Sequence, residues 1–289
     1  MNENFSLQKF NSWQVGGTAD YYCAPSSVEE LKVALLQKMP YTVLGGGTNV
    51  LVSDTGVRGL VIHLAKFSKI EVTETAADIS FVCLAGTPKS DLLKLLLKYK
   101  LEAALFIAGI PGSIGGGVAM NAGVGEQIKP REFVEIVEWV EVMKTPSLEV
   151  KRFERAELHW DYRHCTGWQD GIIIRVGMRI ANEPQASLLY RVRAANRVRA
   201  SKQPLELPSC GSVFRNPPGD KAGRIVEAAG LKGFAVGGAR VSEKHANFIV
   251  NGGGATASEI SSVIRHVQNE VLRQFSVELQ TEVVWLGEF

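Results

Sequence analysis

Cysteine is scarce and poorly spaced for chemistry. The four cysteines are Cys23, Cys83, Cys165 and Cys210, and no two of them form a C-x-x-C pair. That disfavours a zinc site or a redox dithiol and argues against a disulfide framework. The five histidines have no metal-ligand spacing either, so no metal is expected. No apolar run reaches the roughly 18 residues that cross a bilayer. The N-terminus, MNENFSLQKF, lacks the basic start and apolar stretch of a signal peptide. The expectation is a soluble, cytoplasmic protein that does not engage a membrane. A dominant charge is missing too. Lysine and arginine number 32 against 30 acids, a net of +2, so there is no general pull toward nucleic acid. Nothing in the chain calls for an obligate protein partner. Internal repeats and low-complexity segments are also absent.

Glycine, in contrast, is plentiful. The chain has 289 residues and 29 glycines, with only 11 prolines. No G-X-Y period exists, so collagen is excluded. With 45% hydrophobic residues and little net charge the chain is not disordered. The glycine must sit inside folded structure, where it supplies positive φ or lets a ligand approach the backbone. At roughly 150 residues per domain, the length suggests about two domains.

The first part of the chain reads as short strands with few helices. Ser27-x-x-Glu30 is a capping box ahead of a helix that stops before Pro40. Strands are expected at 42–44, 50–52, 60–64, 70–72, 79–84, 134–143 and 172–181, with a helix from Thr87-Pro88 to about Tyr99. After Asn182-Glu183-Pro184 helices dominate, at about 187–202, 221–229 and 257–275. The last opens on Thr256-x-x-Glu259 and carries the stripe Ile260, Val263, Ile264, Val267, Val271, Leu272, Phe275. A strand over 277–286 closes the chain. The pattern predicts an α+β protein with a boundary near residue 183.

Two glycine-rich loops stand out. Gly45-Gly46-Gly47-Thr48-Asn49 separates two strands. Its N–H groups can form an anion nest, or the segment can be a tight hairpin loop. Gly109-Ile110-Pro111-Gly112-Ser113-Ile114-Gly115-Gly116-Gly117 is more specific. A short helix starting near Ser113 would aim N–H groups at a phosphate; close helix packing is the other reading. The segment is neither a Walker A loop nor a G-x-G-x-x-G strand–turn–helix unit. Two such loops favour a diphosphate ligand. The basic run Arg191, Arg193, Arg197, Arg199, Lys202 reads first as a solvated helix face and second as a phosphate-facing one.

With these loops, several motifs make the chain resemble the UDP-N-acetylenolpyruvoylglucosamine reductase family of bacterial peptidoglycan synthesis. Asn11-x-Trp13-x-Val15-Gly16-Gly17 is similar to that family's opening, Leu44 to Asn49 to its first flavin loop and Ala108 to Gly117 to its second. The likeness runs from residue 11 to 287. It implies a two-part FAD-binding domain of the vanillyl-alcohol-oxidase/PCMH type at 1–182, with lobes of about 1–65 and 66–182. A smaller α+β substrate-binding domain would follow at 183–289. It implies FAD held by Gly45, Gly46, Gly47, Thr48, Asn49, Ile110, Pro111, Gly112, Ser113, Gly115 and Gly116. It also implies a ping-pong reaction in which NADPH reduces the flavin, leaves, and is replaced by UDP-N-acetylenolpyruvoylglucosamine.

The same resemblance assigns the chemistry. Tyr162-Arg163 is similar to the pair that carries the catalytic arginine, which maps to Arg163; Cys165 stands where serine is usual. Ser212, in Gly211-Ser212-Val213-Phe214-Arg215-Asn216, maps to the proton donor. It does not lie in a G-x-S-x-G elbow, so acyl-enzyme chemistry is not expected. Glu282, in Leu279-x-x-Glu282-Val283, maps to the catalytic glutamate. Tyr162, Lys202 and Arg215 are the implied substrate contacts. Ala119 and Val124 depart from aromatic residues common in the family. No insertion after residue 182 is seen, as in the family's shorter class. His245 reads as structural, His159 and His164 as loop residues. A flavin oxidase of the same superfamily and a non-enzymatic nucleotide-binding module are the alternative readings. The second needs no trio of Arg163, Ser212 and Glu282.

Overall fold

The computed structural model describes residues 1–124 and 130–289. In chain order, β1 (Asn2–Ser6) and β2 (Thr18–Cys23) precede α1 (Val28–Leu35), β3 (Tyr41–Leu44), β4 (Val50–Val52) and β5 (Val57–His63). Then come β6 (Ile70–Glu74), β7 (Asp78–Leu84), α2 (Lys89–Lys98), α3 (Ala103–Ile107) and α4 (Ile114–Ala119). The middle continues with β8 (Val137–Lys144), β9 (Val150–Glu154), β10 (His159–Asp161), β11 (His164–Thr166) and β12 (Gly171–Ala181). The remainder is α5 (Leu188–Lys202), α6 (Ala222–Ala228), β13 (Ala235–Val236), β14 (Ala239–Val241), β15 (Ile249–Asn251), α7 (Ala257–Phe275) and β16 (Val284–Leu286). Helices and antiparallel sheets coexist, as the α+β expectation requires.

The compact units are cut differently from two domains meeting at residue 183. One unit comprises residues 1–22, 47–61 and 199–289; the other comprises 23–46 and 62–198. Packing inside the first unit explains why its chain segments are so far apart. Trp13 is fully buried among Leu51, Val213, Phe214, Ile249 and Ile260. Its indole Nε1 donates to Ile249 O at 2.7 Å, and Asn251 Nδ2 donates to Trp13 O at 2.9 Å. Asn11 Nδ2 donates to Val15 O at 2.8 Å, which folds the opening motif on itself. β1, β2 and β5 lie side by side in this unit, and β16 runs parallel to β4 with Val284 opposite Val50. β13, β14 and β15 form an antiparallel sheet against α7.

α7 forms where its capping box and apolar period predict. Thr256 Oγ1 accepts from Glu259 N and Glu259 Oε2 accepts from Thr256 N. Ile260, Val263, Ile264, Val267 and Val271 are buried, whereas Leu272 and Phe275 face solvent. At 3.6 residues per turn Leu272 sits one step off the stripe. At α1 only half of the expected box forms. Ser27 Oγ accepts from Glu30 N, but the Glu30 carboxylate turns to Ser26 instead. The strand expected over 277–286 is confined to β16.

The second unit is built on the antiparallel sheet β6-β7-β12-β8-β9. β12 is central and apolar in six of its positions: Ile172, Ile173, Ile174, Val176 and Met178 are buried with Gly177, over which Trp139 lies. α2 and α4 pack with this unit, as does the short hairpin β10-β11. α3, just ahead of the glycine-rich stretch, had no strong period to announce it.

Candidate functional site

The two glycine loops meet inside the second unit. A Cβ on Gly46 would stand 2.7 Å from Gly112 Cα, and one on Gly45 2.5 Å from Ser113 Oγ. Side chains at 45 or 46 would therefore push the loops apart. Gly112 has φ +97°, which only glycine adopts without strain. Gly46, Pro111 and Gly116 are exposed while Ser113 and Gly115 are buried. A Cβ on Gly116 would meet only Ser113 Oγ, at 3.4 Å, so bare backbone faces open space there. One expectation is corrected. Ile114 N and Gly115 N do not aim at a ligand: they donate to Thr87 O at 2.9 Å and Ala85 O at 2.8 Å. Carbonyls in the turn that follows β7 take these donors.

Gly47, Thr48 and Asn49 belong to the first unit. Gly47 has φ +63°, and a Cβ there would lie 1.9 Å from Phe10 O. Ser12 N donates to Gly47 O at 2.9 Å, tying the opening motif to this loop. Thr48 is half-buried. Asn49 Nδ2 donates to Glu282 O at 3.0 Å, a contact that no sequence spacing announces.

Arg163 is in the second unit, on the two-residue turn between β10 and β11, where Asp161 pairs with His164. Its φ is +56°, a left-handed conformation costing roughly 1 kcal/mol for a residue with a Cβ. The side chain is nearly buried. Arg163 Nη2 donates to Gly123 O at 3.1 Å, and Nη1 lies 3.6 Å from Glu132 Oε1. The guanidinium sits 4.8 Å from the ring centroid of Tyr162, which is exposed. Asn121 braces this arrangement: its Nδ2 donates to Glu132 Oε2 at 3.2 Å and to Asp161 O at 3.1 Å. Val134 N donates to Asn121 Oδ1 at 3.1 Å. Cys165 is buried beside the turn, and burial pushes its thiol up to about 12, so it is uncharged. His159 and His164 pair within the hairpin strands rather than lying on loops. Val124 N donates to Arg131 O and Ala119 ends α4; Gly125 lies outside the described residues.

Ser212 and Glu282 lie on two paired segments of the first unit. Their segments run antiparallel: Glu282 N donates to Val213 O at 2.7 Å and Arg215 N to Gln280 O at 2.9 Å. Phe214 and Thr281 form a single bridge rather than the extended strands expected here. Asn247 supplies the missing strand on the other side. Its backbone O accepts from Val213 N, and its side chain bonds both Phe214 N and Phe214 O. His245 Nδ1 in turn accepts from Asn247 N at 3.2 Å, and burial holds its pKa down. Ser212, Arg215 and Glu282 are all half-buried. Arg215 Nε is buried with no hydrogen-bond partner among the described residues. A buried donor left so is costly unless a ligand meets it. Lys202 stands at the exposed end of α5.

Two family models match the chain: the FAD binding domain over residues 19–153 and the UDP-N-acetylenolpyruvoylglucosamine reductase C-terminal domain over 203–286. The UDP-N-acetylenolpyruvoylglucosamine reductase of Pediococcus pentosaceus is 41% identical over 99% of this chain and 94% of its own length. That of Listeria innocua is 39% identical over 99% and 94%. The crystal structure of the reductase from Thermus caldophilus matches with a TM-score of 0.81 at 32% identity, covering 98% of this chain and 97% of that one. With full-length likeness at this level, the chain belongs to the UDP-N-acetylenolpyruvoylglucosamine reductase family.

Proposed function

We propose that this chain is an FAD-containing, NADPH-dependent oxidoreductase. It reduces the enolpyruvyl group of UDP-N-acetylenolpyruvoylglucosamine to the lactyl ether of UDP-N-acetylmuramate. The reading rests on the full-length match to reductases of that name. The geometric observation that supports it is the antiparallel pairing of the Val213–Arg215 and Gln280–Glu282 segments, which sets Glu282 opposite Val213, the residue after Ser212. The residues also fit the cofactor. Glycines that cannot carry a Cβ without parting the two loops leave bare backbone exposed at Gly46 and Gly116, as a diphosphate requires. The flavin contacts are Gly45, Gly46, Gly47, Thr48 and Asn49 in one loop. In the other they are Ile110, Pro111, Gly112, Ser113, Gly115 and Gly116, with Gly115 contributing close packing rather than its N–H.

When bound, FAD supplies hydride transfer from NADPH to the β-carbon of the enol ether. The protein supplies position and charge. Arg163 clamps the substrate carboxylate and stabilises the negative charge that spreads onto it once the β-carbon has gained hydride. Ser212 Oγ–H gives its proton to the α-carbon, completing the saturated ether. Serine is a weak acid, so the transfer needs nearby positive charge as the alkoxide forms. Lys202 is the residue in this role, and Glu282 holds the enolpyruvyl end. Tyr162 and Arg215 are substrate contacts, the buried Nε of Arg215 awaiting an acceptor such as a phosphate oxygen. No helix among the described residues is long and apolar enough to cross a membrane, and a cytoplasmic location follows from the proposed substrate.

The two half-reactions separate the roles. In Ser212→Ala, flavin bleaching by NADPH should proceed at the unaltered rate, while recovery of flavin absorbance on adding substrate slows by orders of magnitude. Unchanged recovery in a stopped-flow measurement would remove Ser212 as the proton donor.

A further inference from the structure

Lys89 is 4% exposed, a rarity for lysine without a carboxylate partner. It opens α2 on the same buried stripe as Leu92 and Leu96. Its Nζ donates to Pro111 O at 2.9 Å and stands 5.4 Å from the Phe133 ring centroid. Its stem packs under α4: a Cβ on Gly117 would come within 2.8 Å of Lys89 Cε. The backbone of Lys89 reaches the same loop, since Lys89 N donates to Gly112 O at 2.9 Å. One residue thus grips the second glycine loop twice, at adjacent carbonyls.

The charged groups on surrounding elements are engaged elsewhere. On α2 Asp91 pairs with Lys94. Beside Phe133, Glu132 meets Arg163 and Asn121, and Glu135 meets Arg131. Glu102, preceding α3, pairs with Arg191. Residues 109–119 carry no titratable side chain. No carboxylate among the described residues is in ion-pair distance of Nζ.

We propose that Lys89 is a buried cation that secures the second glycine loop at Pro111 and lends its backbone the positive charge against which a cofactor diphosphate is held. An apolar side chain would fill the space but leave the Pro111 carbonyl without this donor. A paired lysine would add no net charge. Burial alone pulls the Lys89 ammonium down to about 7. The empty site therefore sheds its charge as pH rises past neutrality, and a diphosphate on the loop draws a proton back. This inference rests on the assignment of residues 110–116 to the flavin diphosphate.

The test is flavin affinity of the full-length protein, stripped of flavin and titrated with FAD at pH 6 and pH 8.5, with proton exchange measured by calorimetry in two buffers. The wild type should bind about tenfold more weakly at pH 8.5 and take up protons there. Lys89→Met should bind weakly at both pH values with no uptake. Lys89→Arg should retain pH-6 affinity at both, because guanidinium does not titrate in this range. Lys89→Met with undiminished, still pH-dependent binding overturns the proposal. Should Lys89→Met fail to fold by circular dichroism, Lys89→Arg decides: a flat profile supports the role and a wild-type slope overturns it. A wild type that binds no FAD at either pH overturns the loop assignment itself, a distinct outcome.

Discussion

Asn121 is 1% exposed and uses both ends of its amide, joining the Arg163 turn, the Glu132 carboxylate and Val134 N. Its removal leaves Val134 N and Asp161 O without these partners in a part-buried setting. Asn121→Ala should cost about 1–3 kcal/mol of stability, read from the denaturation midpoint, and should lower turnover through Arg163 without altering the flavin spectrum. Lys89 acts in the opposite sense on the flavin-free protein. Its folded pKa, about 7, lies below the unfolded value near 10.4. Between these pH values the unfolded chain binds more protons, so the Lys89 contribution to stability rises with pH across that window. Melting wild type and Lys89→Met from pH 7 to 10 should show their difference shift in favour of the wild type as pH rises. At this scale the resemblance supplied Arg163, Ser212 and Glu282 but not their supports. Lys89 was visible only as a charge on an apolar stripe, and Asn121 and Asn247 owe their roles to non-local contacts.

Among the elements, α4 offers the sharpest separation of folding from ligand binding. Gly116→Ala removes a helical glycine and meets no obstacle but Ser113 Oγ at 3.4 Å. It should raise stability by about 0.5–1 kcal/mol and yet weaken FAD binding, because the new methyl occupies the exposed backbone face. Equal or tighter binding, measured by flavin fluorescence, would place the cofactor elsewhere. α7 and the long strands were legible because a capping box and a 3.6-residue period are local signals. The 277–286 segment was misread because its partners, Val213 and Arg215, are remote in sequence, and strand extent depends on what lies alongside. The N–H groups at the start of α4 were misassigned for the same reason: their acceptors are carbonyls at Ala85 and Thr87.

On the scale of the molecule, the boundary near residue 183 marked a change in element type, whereas the compact units follow packing. Trp13, Leu51 and Phe214 share one core although the chain between them builds the other unit. Deleting residues 284–289 should therefore damage the 47–61 segment of the first unit. β16 would be lost from β4, together with the Ser53 N to Leu286 O bond at 2.8 Å. Faster hydrogen exchange at Val50–Ser53, with β7 and β12 unaffected, is the expected result. The same layout bears on the order of synthesis. When a ribosome has released residue 198, every residue of the second unit is available, but the strand at 50–52 and the core around Trp13 still await partners from the unmade C-terminal third. During translation Trp13 and its neighbours lack their core partners for as long as those last residues take to emerge.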